Sequence, residues 1–191
     1  MFVNPGFVIL FHGCDETVRD KIVKSSTEHL WHSAARWEWL GDGMYFWENS
    51  YDKALEWANY IKDHPIPNNS SKISKPSVLG AMVDLKNCLD FLDAKYLKLL
   101  KVSYDMIKDS PKLPKNSGTT EDMTIRKLDY YVIQNIHTFT EKSGLPQFDS
   151  VRSIFWEGDK PYPDAGFRDK NHIQVCIRNK ECIKGYFIPR I

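Results

Sequence analysis

The sequence predicts an α+β domain whose sheet is mainly antiparallel. Short apolar runs typical of strands lie near both ends of the chain, and longer amphipathic segments typical of helices lie between them. These segments do not alternate regularly, as the strands and helices of a doubly wound parallel sheet do. Neither a repeat nor a linker divides the 191 residues, so residues 1–191 are expected to form one domain.

The first half of the chain is expected to contain two strands and two helices. The run 7–11 is continuously apolar and is typical of a buried strand that ends at His12 and Gly13. Glycines at 41 and 43 mark a turn into a short aromatic strand. The first predicted helix begins near Thr17. The second is capped by Asn49 or Ser50 and runs to about Ile61.

The second half of the chain is expected to add four strands and two longer helices. The strands are predicted at 78–85, 150–156, 173–178 and 185–189, and the helices at 94–108 and from about 125 to 139. Three long polar loops are predicted at 62–77, 110–121 and 157–171. Loops of this length in a compact domain tend to carry function.

Composition excludes several classes of protein. The 26 Lys and Arg against 25 Asp and Glu leave a net charge of +1, which gives no support for long-range attraction to nucleic acid or membrane. No apolar run approaches the roughly 20 residues of a membrane span, and the N-terminal residues lack the features of a signal peptide. We therefore expect a cytoplasmic protein without a membrane partner.

Neither the cysteines nor the common motifs indicate a metal or phosphate site. The four cysteines lack the C-x-x-C spacing of a zinc site and do not suggest a disulfide framework. Fingerprints of dinucleotide-binding, P-loop, metalloprotease and serine-hydrolase sites are also missing. Five of the six tryptophans lie between Trp31 and Trp57. These rings indicate either an aromatic core or a surface that stacks flat ligands.

Three short segments carry a resemblance to a known family. They are Phe11–Gly13, the stretch GDGMYFWE at 41–48, and Gln174 at the start of a late strand. In this order they resemble the ADP-ribosyltransferase superfamily, in its diphtheria-toxin-like and poly(ADP-ribose)-polymerase-like branch. The middle segment and the helix after it are the most specific part. The resemblance implies a split β-sandwich of two small, mainly antiparallel sheets with flanking helices, and NAD in the cleft as co-substrate without a metal.

The resemblance also implies a role for each site residue. His12 would bind ribose hydroxyls, the Gly13 backbone would hold the nicotinamide amide, Tyr45 would stack on the pyridinium ring, and Trp57 would cover its other side. The alternative for His12 is a half-buried histidine without a ligand. The alternative for Tyr45 and Trp57 is that both are aromatic residues of the core. Cys14, close to His12, is a weaker candidate for a nucleophile.

Gln174 departs from the family pattern, because most relatives have Glu at this position. An amide keeps a hydrogen bond to the ribose but loses most of the electrostatic stabilisation that a carboxylate gives to a positive sugar. Glu157 or Glu181 could supply a carboxylate instead. Together, His12, Tyr45 and Gln174 predict a mono-ADP-ribosyltransferase. The alternatives are a catalytically inactive module that binds NAD or ADP-ribose, and an RNA 2′-phosphotransferase.

The acceptor is expected to be a macromolecule, either a nucleic acid such as RNA or a protein. In relatives the loop before the third position often presents the target, and here that loop carries Tyr162, Phe167 and several cations. The chain also resembles compact bacterial transferases of toxin–antitoxin and anti-phage systems. That resemblance implies a toxin-like effector with an inhibitory antitoxin as a partner.

Overall fold

In a computed structural model of the protein, the structure describes residues 6–35, 38–65, 72–118 and 125–190. The predictions that fall on the chain start, on Trp37, on 66–71 and on 119–124 lie outside these residues. The elements in chain order are β1 Val8–Asp15, α1 Glu16–Lys24, β2 Met44–Glu48, α2 Tyr51–Asp63, β3 Pro76–Val83, β4 Cys88–Asp90, α3 Ala94–Ile107, α4 Lys127–Lys142, β5 Ser150–Phe155, β6 His172–Ile177, a 3₁₀ turn Lys180–Cys182 and β7 Ile183–Phe187.

The strands form a mixed sheet, so the predicted α+β class is confirmed. Their order is β4-β5-β6-β2-β1-β3-β7. Only β4 and β5 run parallel among the described strands, and the other neighbours are antiparallel. The sheet is therefore mainly antiparallel, as the lack of regular β-α-β alternation predicted.

The expectation of two small sheets needs a correction, because the described strands are hydrogen-bonded into one seven-stranded sheet. The link between its halves is short. Strand β1 pairs with β3 from Val8 to Asp15, but with β2 only at Leu10 and Phe11. One half consists of β7, β3 and β1, and the other of β2, β6, β5 and β4. Beyond Phe11 the two central strands stop pairing.

The two faces of the sheet are covered by different helices. Helix α1 packs on one face, where Ile22 meets Leu10 and Phe46. On the other face, α2 packs at Trp47 through Ala54, and α4 packs over the second half through residues such as Ile133. We call this second face the helical face. Tyr45 and Trp47 lie two residues apart on β2 and therefore both point to it.

Most predicted elements are present, with ends that differ from the predicted ones by one to three residues, and three differences go beyond such shifts. Strand β1 does not end at His12 and Gly13 but continues to Asp15. Helix α2 begins after Ser50, but no side-chain hydrogen bond caps it. The short strand β4 was not predicted, because three residues carry too little alternation to be recognised. Among the described helices, none has the length and apolarity that a bilayer crossing requires.

Candidate functional site

The candidate site lies where β1 and β2 separate. Asn49 N donates to Ile9 O over 3.0 Å. Since hydrogen-bonded pairs alternate along antiparallel strands, the odd-numbered residues of β1 direct their backbone N–H and C=O toward β2. If the register of the last two pairs continued past Phe11, Gly13 would stand across from Tyr45, but the strands no longer pair there. Gly13 on β1 and Tyr45 on β2 thus border the gap between the two strands, and a side chain of β1 joins them.

His12 bridges the gap between the two strands. Its Nδ1 lies 2.7 Å from the carbonyl oxygen of Tyr45. Because a carbonyl only accepts, Nδ1 must carry the proton, and Nε2 holds the lone pair of the neutral ring. Burial lowers the pKa of His12, which favours this neutral form. Within the described part of the chain no group donates to Nε2, so this nitrogen is left as an acceptor.

Gly13 has a packing reason to be glycine. A Cβ atom at this position would lie 2.0 Å from the carbonyl oxygen of Ala54, and 3.2 Å from the Ala58 side chain. The close approach that the missing side chain permits is therefore an approach of α2. The sequence-based interpretation attributed it to a ligand, and the structure supplies a second cause that does not exclude the first.

The Tyr45 ring is fixed at its far end. Its hydroxyl donates to Gly41 O over 2.8 Å and accepts from Leu40 N over 3.0 Å. Gly41 has a φ of +87°, so the turn that supplies this carbonyl needs glycine. Burial raises the pKa of the phenol well above its usual value. Tyr45 is therefore a neutral ring with a set plane on the helical face.

Gln174 lies on the same face, one strand further along the sheet. It stands opposite Trp47 in the pairing of β2 with β6. Its Nε2 lies 3.3 Å from Nε2 of His172, and His172 Nδ1 lies 2.7 Å from Lys170 O. The His172 ring stacks on Phe155 with centroids 5.0 Å apart. Gln174 thus contacts His172, which is itself held by Lys170 and Phe155, and its side chain is not isolated on the surface.

The structure brings some predicted site residues together and separates others. Gly13, Tyr45 and Gln174 share the helical face. His12 starts from the opposite face, with Leu10, but its ring reaches the strand edge. Trp57 is 41% exposed on α2, and its ring contacts within the described residues are with Trp47 at 6.1 Å and Tyr60 at 5.8 Å. Trp57 therefore borders the Gln174 side of the site, without a direct ring contact to Tyr45.

Cys14 is not suited to nucleophilic chemistry. It packs in the core beneath α1, and burial raises the pKa of its thiol to about 11. A thiol with such a pKa is almost entirely protonated at neutral pH and is inert. This removes the thiol that the sequence had left as a weaker candidate.

The carboxylates near the site differ in position. Glu157 exerts its charge on His172, next to Gln174, whereas Glu181 lies in the 3₁₀ turn before β7. Glu38 was missed by the sequence analysis, since a single acid in a tryptophan-rich loop has no periodic signal. Its Oε1 accepts from Ser33 Oγ over 3.1 Å, and its charge raises the pKa of Tyr45. Burial raises the pKa of the Glu38 carboxyl to about 7.

The loop before β6 exposes aromatic rings and is tied to α2. Tyr162 and Phe167 are exposed, and the Arg168 guanidinium lies 4.5 Å from the centre of the Trp156 ring. Lys170 Nζ lies 3.9 Å from a carboxylate oxygen of Glu56 on α2. This loop and α2 therefore flank the same part of the sheet. No group of three or more metal-ligating side chains occurs in the part of the chain that the structure describes.

Comparison with known proteins gives one distant relative. The chain is 27% identical to MJ0359, an uncharacterized protein of Methanocaldococcus jannaschii, in an alignment that covers 92% of this chain and 84% of that protein. No family model matches the chain, and no solved structure matches it.

Proposed function

We propose that this protein is a mono-ADP-ribosyltransferase that cleaves NAD and transfers ADP-ribose to a macromolecular acceptor. The observation that carries the proposal is the strand junction, where His12 reaches the Tyr45 carbonyl across the separated strands and the Tyr45 ring is fixed at its hydroxyl. Two acceptors to which no described residue donates, His12 Nε2 and Gln174 Oε1, belong to the residues beside it. This set matches the needs of a ligand with one flat amide-bearing ring and several sugar hydroxyls.

The residues at the junction can hold NAD in an orientation for cleavage. The Gly13 N–H and C=O would pair with the nicotinamide amide, which offers the complementary acceptor and donor. Tyr45 would stack on the pyridinium, and an aromatic face under a cationic ring contributes about 0.5 to 2 kcal/mol. His12 Nε2 and Gln174 Oε1 would accept hydrogen bonds from ribose hydroxyls.

The proposed reaction is a substitution at the anomeric carbon. The bond between C1′ of the ribose and the pyridinium nitrogen breaks, and nicotinamide leaves with the bonding electrons. The acceptor then bonds to C1′ and loses its proton. The sugar passes through a positively charged state similar to that of glycoside hydrolysis. Gln174 would hold the 2′-hydroxyl but add no negative charge, which favours single transfer over chain elongation.

The proposed acceptor is a macromolecule, either a nucleic acid such as RNA or a protein, as the sequence predicts. The exposed rings of Tyr162 and Phe167 are suited to stacking on a base or contacting a protein side chain. A toxin-like or anti-phage role with an inhibitory antitoxin, and a cytoplasmic location, belong to the same proposal. They rest on the resemblance alone.

A second candidate function is an inactive module that binds NAD or ADP-ribose. The neutral amide of Gln174 favours it, because the carboxylate that commonly stabilises the positive sugar is missing there. The two candidates differ in one measurement. The transferase releases nicotinamide, whereas the binding module is stabilised by NAD against heat without consuming it.

The test of the proposed function uses labelled NAD and variants of Tyr45. Purified protein is incubated with labelled NAD and cell lysate, and the products are treated separately with nuclease and with protease. Loss of the label under one treatment identifies the acceptor class. We expect Tyr45→Leu to reduce nicotinamide release at least about tenfold, because the ring under the pyridinium is lost.

Tyr45→Phe is the matched control for Tyr45→Leu. It keeps the ring but removes the bonds to Gly41 and Leu40, so it should lower stability by about 1 to 2 kcal/mol while preserving most NAD cleavage. Equal activity of folded Tyr45→Leu and wild-type protein would exclude Tyr45 from the site. Absence of both nicotinamide release and NAD binding in the wild type would overturn the proposed function itself.

A further inference from the structure

The side chain of His172 fixes the orientation of the Gln174 amide. A glutamine can present either its oxygen or its nitrogen, and the neighbouring donors and acceptors decide which. Lys170 O can only accept, so the imidazole nitrogen that lies 2.7 Å from it, Nδ1, carries the proton. Nε2 of the neutral ring is then an acceptor. Because Nε2 lies 3.3 Å from the Gln174 amide, the group facing it must be the NH₂.

This arrangement leaves the Gln174 oxygen available. With the NH₂ donating to His172, Oε1 points away from that ring. Among the described residues, no group donates to this oxygen. The oxygen is also absent from the buried polar atoms that lack a partner. The amide oxygen is therefore presented as an acceptor, while one N–H of the NH₂ is used by His172.

The His172 ring is itself held in place. It stacks on Phe155 at an interplanar angle of 26° and lies 6.4 Å from the Trp47 ring. Lys53 and Glu56 on α2 and Glu157 in the loop are the charged groups whose fields act on it. Burial is the largest influence and lowers the pKa of His172. Lys53 also lowers this pKa, whereas Glu157 and Glu56 raise it. The neutral ring with its proton on Nδ1 is thus the form that the surroundings favour.

We propose that His172 is a positioning residue that orients Gln174, so that its Oε1 accepts the hydrogen bond of the ribose 2′-hydroxyl. The inference rests on the proposed function and deepens it. An ionised glutamate at position 174 has no proton to donate to the Nε2 of a neutral His172. The histidine at 172 is therefore matched to an amide at 174, and the pair forms a hydrogen-bonding unit in place of the carboxylate.

The kinetic test combines His172→Phe with Gln174→Leu. Phenylalanine keeps a ring on Phe155 but removes the acceptor. We expect His172→Phe to lower kcat for nicotinamide release about tenfold with a smaller change in KM, because the 2′-hydroxyl contact matters most as the sugar becomes positive. In the Gln174→Leu background the same substitution should have no further effect. An equal loss in both backgrounds would overturn the proposal.

The control for the ring itself is His64→Phe. His64 also stacks on an aromatic ring, that of Tyr60 at 4.5 Å, and its Nδ1 also lies near a backbone carbonyl at 3.2 Å. It does not contact Gln174, so His64→Phe should leave kcat unchanged. A fall in kcat equal to that of His172→Phe would show that loss of any stacked histidine has this effect, and would overturn the proposal.

A spectroscopic measurement separates this proposal from the proposed function. Two-bond proton–nitrogen correlation spectra of the imidazoles report which ring nitrogen carries the proton. We expect the Nδ1–H tautomer for His172, with an Nε2 shift that changes in Gln174→Leu. An Nε2–H tautomer would overturn the orientation of the amide even in an active enzyme. An Nδ1–H tautomer in a protein that neither cleaves nor binds NAD would uphold the orientation but overturn its assigned role.

Discussion

Asp15 shows how a single carboxylate can fasten two parts of the chain. Its Oδ1 accepts from Thr17 N and Thr17 Oγ1 at the start of α1. Its Oδ2 accepts from Ser74 N, Ser74 Oγ and Lys75 N, just before β3. These donors hold the pKa of Asp15 well below its ordinary value. The residue connects the end of β1, the cap of α1 and the entry to β3.

We predict that Asp15→Ala destabilises the protein by about 2 to 3 kcal/mol at pH 7, because buried donors lose their acceptor. Since the folded pKa is depressed, this contribution is present above the unfolded pKa of about 3.9 and is lost as the pH falls below it. Urea unfolding of wild type and variant at several pH values measures the difference, which should shrink on acidification.

Asp93→Ala is the matched control for Asp15→Ala. Asp93 caps α3 through Lys95 N but lies at the surface and has no second segment to hold. We expect a loss of about 1 kcal/mol or less, as for an ordinary cap. If both substitutions cost the same, the contacts of Asp15 with Ser74 and Lys75 contribute nothing to stability.

The packing of α2 on β1 depends on one missing side chain. Helix α2 contacts Gly13 through its own backbone at Ala54, and this contact places the helix beside the strand junction. A residue with a Cβ atom would have to push the helix outward, because the atom that it meets is a backbone carbonyl. The position of Trp57 relative to the sheet therefore also depends on Gly13.

We predict that Gly13→Ala destabilises the protein by about 3 kcal/mol, near the upper end of the cost of overpacking. Gly185→Ala is the control, because Gly185 also lies in a strand but has no atom within 4 Å of the added Cβ. Thermal or urea unfolding of the two variants gives the comparison. Equal stability of Gly13→Ala and wild type would mean that α2 is not held at the distance that the structure describes.

The accuracy of sequence-based prediction differed from element to element. The apolar repeat of α3 predicted its bounds to within one residue, because burial of one helix side leaves a periodic pattern. The end of β1 was wrong, since His12, Gly13 and Asp15 are not apolar and a polar strand end has no alternation to detect. Glu38 and His172 were missed for another reason: their contacts with Ser33 and Gln174 are close in sequence, but they are hydrogen bonds between single polar side chains and leave no apolar period.

At the scale of the whole molecule, the two halves of the sheet share a core. They are joined by only two residue pairs between β1 and β2. Beneath α1, however, Leu10 and Leu79 of one half pack in the same cluster as Phe46 and Val175 of the other. Side-chain packing, and not strand pairing, therefore makes the halves one unit.

We predict that the protein unfolds in a single cooperative transition, as small domains with a shared core do. Tryptophan fluorescence and far-ultraviolet circular dichroism should give coincident urea midpoints. Phe46→Ala should lower that common midpoint through a loss of about 3 to 5 kcal/mol, without separating the two probes. Two distinct transitions would show that each half is stable without the other.

The sequence by itself determined the α+β class, the antiparallel character of the sheet and most elements, because burial of one face leaves a periodic record along the chain. It also singled out Gly13, Tyr45 and Gln174 as candidate site residues, through the resemblance of three short segments to a known family. Only the tertiary structure decided that the sheet is continuous, that α2 packs on Gly13, and that His172 faces the amide of Gln174. The first two features depend on which distant segments meet, and such contacts leave no period in a single sequence. The third depends on the side-chain conformations of two polar residues in one strand, which their spacing does not specify.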